Sequence, residues 1–141
     1  MVSPAPYYVV WEEGEKLGES VPWPYQLAKI EVVNFKQKYE KLYPHEAATD
    51  GPIMKGFVTF KNQCLRCHSI NLQGGDVGPE LNSPQNVTEY WSKSNLKKFI
   101  KDATSFRFKS KMPPFPNLSN DEIDQVLDYL EFIKGSKLPK S

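Results

Sequence analysis

The sequence predicts a mainly α-helical fold of three or more short helices, preceded by an N-terminal extension with a candidate β-hairpin. Three observations point there. Ser119 and Glu122 form a capping-box pattern ahead of the stripe Ile123, Val126, Leu127, Leu130 and Ile133, which Gly135 closes. Gly56, Phe60 and Cys64 recur at spacings of four, a helical stripe over residues 54–63. The first fifty residues instead hold short β-prone runs broken by Gly and Pro.

Along the chain, residues 7–11 and 27–35 read as two short strands, joined by a Gly-containing polar turn and the aromatic stretch holding Trp23 and Tyr25. Residues 36–51 are polar and linker-like, with one candidate helical turn. This divides the chain into an extension, 1–50, and a helical domain, 51–141. Trp11, Trp23 and Tyr25 leave three roles for the extension: a hairpin covering the helical domain, an interaction arm, or the tail of a preceding domain. In the helix over 54–63, Gly56 would let a second helix approach closely. A third helix over 95–103 turns Leu96, Phe99 and Ile100 inward and Lys97, Lys98 and Lys101 outward. A helical domain of about 80 residues buries too little apolar surface to be secure without a staple.

Composition narrows the function classes. The 141 residues carry a net charge of +1, so the whole molecule has no strong electrostatic pull toward nucleic acid or a membrane surface. No run approaches 18 apolar residues, which predicts no membrane insertion, and the N-terminus lacks a signal-peptide pattern. Met1 before Val-Ser-Pro fits a start codon placed on a mature or excised domain, so that lack leaves location open. Twelve prolines, above the usual share of about 5%, predict long stiffened loops.

The two cysteines carry the most chemistry. Cys64 and Cys67 are spaced C-x-x-C and followed at once by His68, the pattern of covalent haem attachment. Positions i, i+3 and i+4 share one helical face, so two thioethers and an imidazole can meet one flat ligand. Three rivals exist. A thioredoxin-like couple needs a βαβ setting, whereas residues 71–85 are rich in Gly, Pro and Asn. A zinc site needs four ligands, and the chain has two cysteines and two histidines, with His45 far from the motif. A plain disulfide leaves His68 without a role.

With these motifs in order, residues 54–135 resemble a class I cytochrome c. Gly56 and Phe60 are similar to the glycine and aromatic of that family's first helix, and Tyr129 to the aromatic of its last, where the two cross. Gly78-Pro79 resembles the glycine–proline whose proline carbonyl takes the proximal histidine's Nδ1–H. The loop holding Met112, Pro113, Pro114 and Pro116 resembles the one that supplies the sixth ligand. The resemblance therefore implies one haem c, bound through thioethers at Cys64 and Cys67, oriented through Pro79 and ligated by His68 and Met112. Proline stiffening agrees, since it holds a flexible thioether in place. Met112 as a plain core filler is the competing reading, and His45 is the competing ligand. Met54 lies too near the attachment motif to reach the opposite face.

Such a domain moves single electrons by outer-sphere transfer and is not itself an enzyme: no catalytic residue is expected. It would serve as a free carrier or as the haem relay of a larger dehydrogenase or oxidoreductase. A five-coordinate, ligand-binding haem is the reading Met112 opposes. Attachment chemistry in the family implies an extracytoplasmic, periplasmic location. Between residues 93 and 111, Lys93, Lys97, Lys98, Lys101, Arg107, Lys109 and Lys111 face only Asp102, while residues 121–131 are acidic. The basic stretch is the expected docking site for an acidic redox protein.

Overall fold

The computed structural model describes residues 10–12, 27 and 29–139. It divides into two compact units, Met1–Asn34 and Phe35–Ser141. In the first, Val10 and Trp11 are exposed, Leu27 sits in a β-bridge and Lys29 pairs with Glu31 at 3.3 Å. The expected first strand lies mostly outside the described residues, as do Trp23 and Tyr25. Residues 29–34 carry no ladder, and Phe35, expected to end the second strand, instead opens a helix.

The second unit is helical. Its elements are α1 (Phe35–Lys38), α2 (Pro52–Gln63), the hairpin β1 (Ser69–Ile70) and β2 (Gln73–Gly74), α3 (Val87–Tyr90), α4 (Lys93–Lys101) and α5 (Asn120–Ile133). Short 3-10 turns follow α1, α4 and α5, at Glu40–Leu42, Ala103–Ser105 and Lys134–Ser136. Helix α5 starts at the expected box: Ser119 Oγ accepts from the Glu122 N–H, and the Glu122 carboxylate accepts from the Ser119 N–H at 2.8 Å. Its stripe of Ile123, Val126, Leu127, Leu130 and Ile133 is buried. Helix α4 begins earlier than periodicity suggests, because Ser92 caps it through the Asn95 N–H.

Helices α2 and α5 cross at Gly56. A β-carbon added there would lie 1.9 Å from the Gln125 carbonyl oxygen, so only glycine allows the approach. Beside the crossing, Tyr129 packs between Phe57 and Phe60, with ring centroids at 5.6 and 5.4 Å. Its hydroxyl donates to the Leu42 carbonyl at 2.7 Å.

That bond draws residues 35–43 into the core rather than leaving them as linker. Leu42 is fully buried, and Phe35 and Tyr43 stack edge-on against Phe57 at 6.0 and 5.2 Å. Phe35, Tyr39 and Tyr43 recur every four residues, a stripe that the polar residues between them conceal.

Candidate functional site

Helix α2 ends at Gln63, so the attachment motif occupies a turn beyond it rather than regular helix. The helical pattern persists locally: the His68 N–H donates to the Cys64 carbonyl at 2.9 Å and the Cys67 N–H to the same oxygen at 3.0 Å. Both thiols are free and half-buried. Burial pushes the Cys64 thiol up to about 12, with Cys67 adding to the rise and Arg66 opposing it. A redox-couple thiol needs the opposite, a lowered pKa. Among the described residues no three His, Cys, Asp or Glu side chains gather to hold a metal ion, which leaves the zinc reading without a ligand set.

His68 is held from two sides. Its Nδ1 lies 2.9 Å from the Pro79 carbonyl oxygen, and a carbonyl only accepts, so Nδ1 carries the proton and Nε2 has its lone pair free. Against the ring lies Gly78, where a β-carbon would come within 2.5 Å of Cε1. The Gly78 N–H donates to the Cys67 carbonyl at 2.7 Å, tying the loop back to the motif.

Cys64, Cys67 and His68 line a cavity of about 280 Å³. Met112, with Ser110, Lys111 and Pro113, lines the same cavity, as do Pro79, Phe60, Leu96, Val126, Leu127 and Leu130. The donor set fits haem c: two free thiols, an imidazole with an available Nε2, and a thioether, in apolar surroundings. His45 is exposed, stacked edge-on against Tyr43 at 4.9 Å, and does not line the cavity. Met54 packs against the core and lines a separate shallow depression with Val58 of α2 and Gln125 of α5.

Several site features escaped the sequence reading. Trp91 lines the cavity and stacks edge-on at 5.0 Å against Phe99, whose inward place was expected, and Phe106 packs on both, at 6.0 and 5.8 Å. Helix α3, which presents Val87 and Tyr90 to the cavity, starts with Asn86 and Glu89 in a capping box. That Asn-x-x-Glu spacing was the signal available for it. The Gly- and Asn-rich stretch after the motif is not loose either: Asn71, Asn82 and Asn86 are buried and hydrogen-bonded to one another.

The basic stretch is also divided. Lys93 pairs with Asp128 at 2.9 Å and Lys97 with Asp124 at 2.6 Å, so part of its charge is matched by α5 rather than facing a partner. Lys98, Lys101, Arg107, Lys109 and Lys111 make no ion pair among the described residues. Among them stand two exposed aromatics, Phe106 and Phe108, the latter 90% exposed.

Helices crossing at a glycine, over an apolar cavity that opens on a paired-thiol turn and a backbone-oriented histidine, form a class I monohaem cytochrome c domain. Residues 51–130 match the family model described as cytochrome c oxidase, cbb3-type, subunit III, and the chain belongs to that family. It is also similar to cytochrome c oxidase subunit 2 of Alkalihalophilus pseudofirmus, at 25% identity over 79 residues. That similarity covers 52% of this chain and 23% of the relative. A domain of this class binds haem c, carries electrons and works with redox partners. Among the described residues no helix is long and apolar enough to cross a membrane.

Proposed function

We propose that this domain carries one haem c, attached through thioethers at Cys64 and Cys67 and ligated by His68 and Met112, and that it passes single electrons by outer-sphere transfer. One observation carries the reading: all four side chains line one apolar cavity, and the Pro79 bond leaves His68 Nε2 free for iron. Bound haem supplies the one-electron iron couple. The protein's part would be to hold the His68 and Met112 donors through oxidation and reduction and to exclude water with Phe60, Leu96 and Leu127. Oxidised and reduced spectra of protein made in cells with haem-attachment machinery test this. One haem per chain that survives acid–acetone extraction is expected; a colourless folded protein overturns it.

Thioether attachment of this kind supports an extracytoplasmic, periplasmic location for the domain. Docking is assigned to the unpaired cations Lys98, Lys101, Arg107, Lys109 and Lys111. Arg107 and Lys111 also line the haem cavity, so an acidic partner seated there is close to the cofactor. A second reading has this domain as the haem relay of a larger oxidoreductase. The oxidase subunit favours it, since the matched region is only 23% of that protein.

A further inference from the structure

Between the attachment motif and α3 the backbone makes few ladder bonds, and one side chain takes their place. Glu80 Oε1 accepts from the N–H groups of Asn71, Asn82 and Ser83 at 2.8, 2.9 and 3.1 Å. Its Oε2 accepts from the Leu72 N–H at 3.0 Å. The carboxylate thus joins the β1–β2 turn to the segment after Pro79. The turn needs an anchor, because Asn71 and Leu72 both have positive φ, 53° and 64°, the second a strained value for leucine.

The geometry continues toward the cavity. The Leu81 N–H donates to the Ser69 carbonyl at 3.0 Å, so residues 79–81 run beside residues 68–69. The Pro79 carbonyl belongs to the peptide unit that begins Glu80. It cannot turn without moving the residue whose carboxylate is clasped at four points. That carbonyl is the acceptor for His68 Nδ1 at 2.9 Å.

We infer that Glu80 is a positioning residue for the His68 imidazole: its clasp fixes the Pro79 carbonyl, and through it the direction and strength of the Nδ1–H bond. Burial pushes the Glu80 carboxyl up, yet the bonds from Leu72, Asn82, Ser69 and Asn71 outweigh it and hold the pKa below the usual carboxylate range. The clasp is therefore ionised at neutral pH, when four donors are best satisfied. A well-aligned Nδ1–H bond makes the ring a stronger donor through Nε2, which favours oxidised iron. The inference rests on the proposed ligation by His68.

The test uses holoprotein with Glu80→Ala and Glu80→Gln. Reduction potential and the paramagnetically shifted haem methyl resonances are read for each, since the methyl pattern reports the plane of the histidine ring. Glu80→Ala is expected to raise the potential and change the methyl spread. Glu80→Gln, which keeps one oxygen for the Oε1 donors, should fall between it and wild type. Glu122→Gln, which weakens the distant cap of α5, should leave both readouts unchanged. Glu80 variants that melt earlier but keep the wild-type potential and methyl pattern overturn the inference. If Glu80→Ala does not fold, the Gln variant against wild type decides in the same way. A wild-type spectrum without histidine ligation would instead remove the reading of His68 itself.

Discussion

Asn82 donates from its side-chain amide to the Asn71 Oδ1 at 3.0 Å, with both residues almost wholly buried. The pair is the middle of a polar ladder. Asn86 donates to Asn82 Oδ1 at 2.8 Å, and the three amides reach carbonyls along the end of α5: Leu130 from Asn86, Ile133 from Asn82 and Ser136 from Asn71. These bonds fasten the haem-side loop to the last helix. No buried side-chain polar atom is left without a partner among the described residues. Asn82→Ala would remove one bond each from Asn71 Oδ1, the Ile133 carbonyl and the Asn86 amide, which keep only Ser83 Oγ, Ser136 Oγ and the Leu130 carbonyl, a loss on the order of 3 kcal/mol. Urea denaturation of the holoprotein measures it; a change within about 0.5 kcal/mol, the usual surface effect, would show that the ladder is replaceable by water.

Gly56→Ala tests the helix crossing. The new methyl would meet the Gln125 carbonyl at 1.9 Å and the Val126 nitrogen at 2.9 Å, both backbone atoms that cannot swing away. Separation of α2 from α5 should cost about 3 kcal/mol or more and lower the yield of holoprotein. Wild-type stability in that variant would mean the helices pack elsewhere.

Met112→Ala should open an axial position to water or added imidazole and lower the reduction potential, with the haem still covalently attached. His45→Ala and Met54→Ala should do neither, since neither side chain lines the cavity. A wild-type spectrum from Met112→Ala with a changed one from His45→Ala would establish bis-histidine ligation instead.

For docking, charge reversal at Lys101, Arg107 and Lys111 should slow association with an acidic redox protein, and rising salt should slow the wild type as screening sets in over about 8 Å. Reversal at Lys93 and Lys97 should act chiefly on stability, because those lysines already face Asp128 and Asp124. Exposed pairs of this kind contribute roughly 0–1 kcal/mol each. Rates that fall equally for both sets would widen the docking face to include α4.

Acid should weaken the fold through Glu80. Its folded pKa lies below the ordinary glutamate value of about 4.5, so the unfolded chain takes up the proton first as pH drops. The stabilisation is complete above about pH 4.5 and is lost as pH falls through the lower folded pKa. Urea midpoints between pH 7 and pH 3 should fall less steeply for Glu80→Gln than for wild type. Parallel slopes would assign acid sensitivity to other carboxylates, such as Glu122 in its capping box, also held low by the Ser119 N–H and hydroxyl.

The legible parts of this protein were those whose causes lie within a few residues. The cap at Ser119, the stripe of α5 and the C-x-x-C-H turn each act over one or two helical turns, so their spacing alone states their geometry. Gly56 was also legible, from its place in the stripe over 54–63, and Tyr129 through the resemblance. Residues 36–51 misled because composition averages over a window, while Phe35, Tyr39 and Tyr43 act as a stripe. The charge reading missed two ion pairs for a related reason. Lys93 and Lys97 count as free cations until α5 is packed beside α4.

By itself, then, the sequence determined the C-x-x-C-H turn, the helix that closes the fold and the proline-rich loop bearing Met112, because residue spacing, capping and proline stiffness are local forces. Tertiary structure decided which carbonyl orients His68, what Glu80 clasps, and where Asn71, Asn82 and Asn86 find partners. It also decided that Tyr129 reaches Leu42, 87 residues away in the chain. Those choices depend on which buried polar groups meet when distant segments fold together, and a buried donor must take whatever acceptor the packing brings to it.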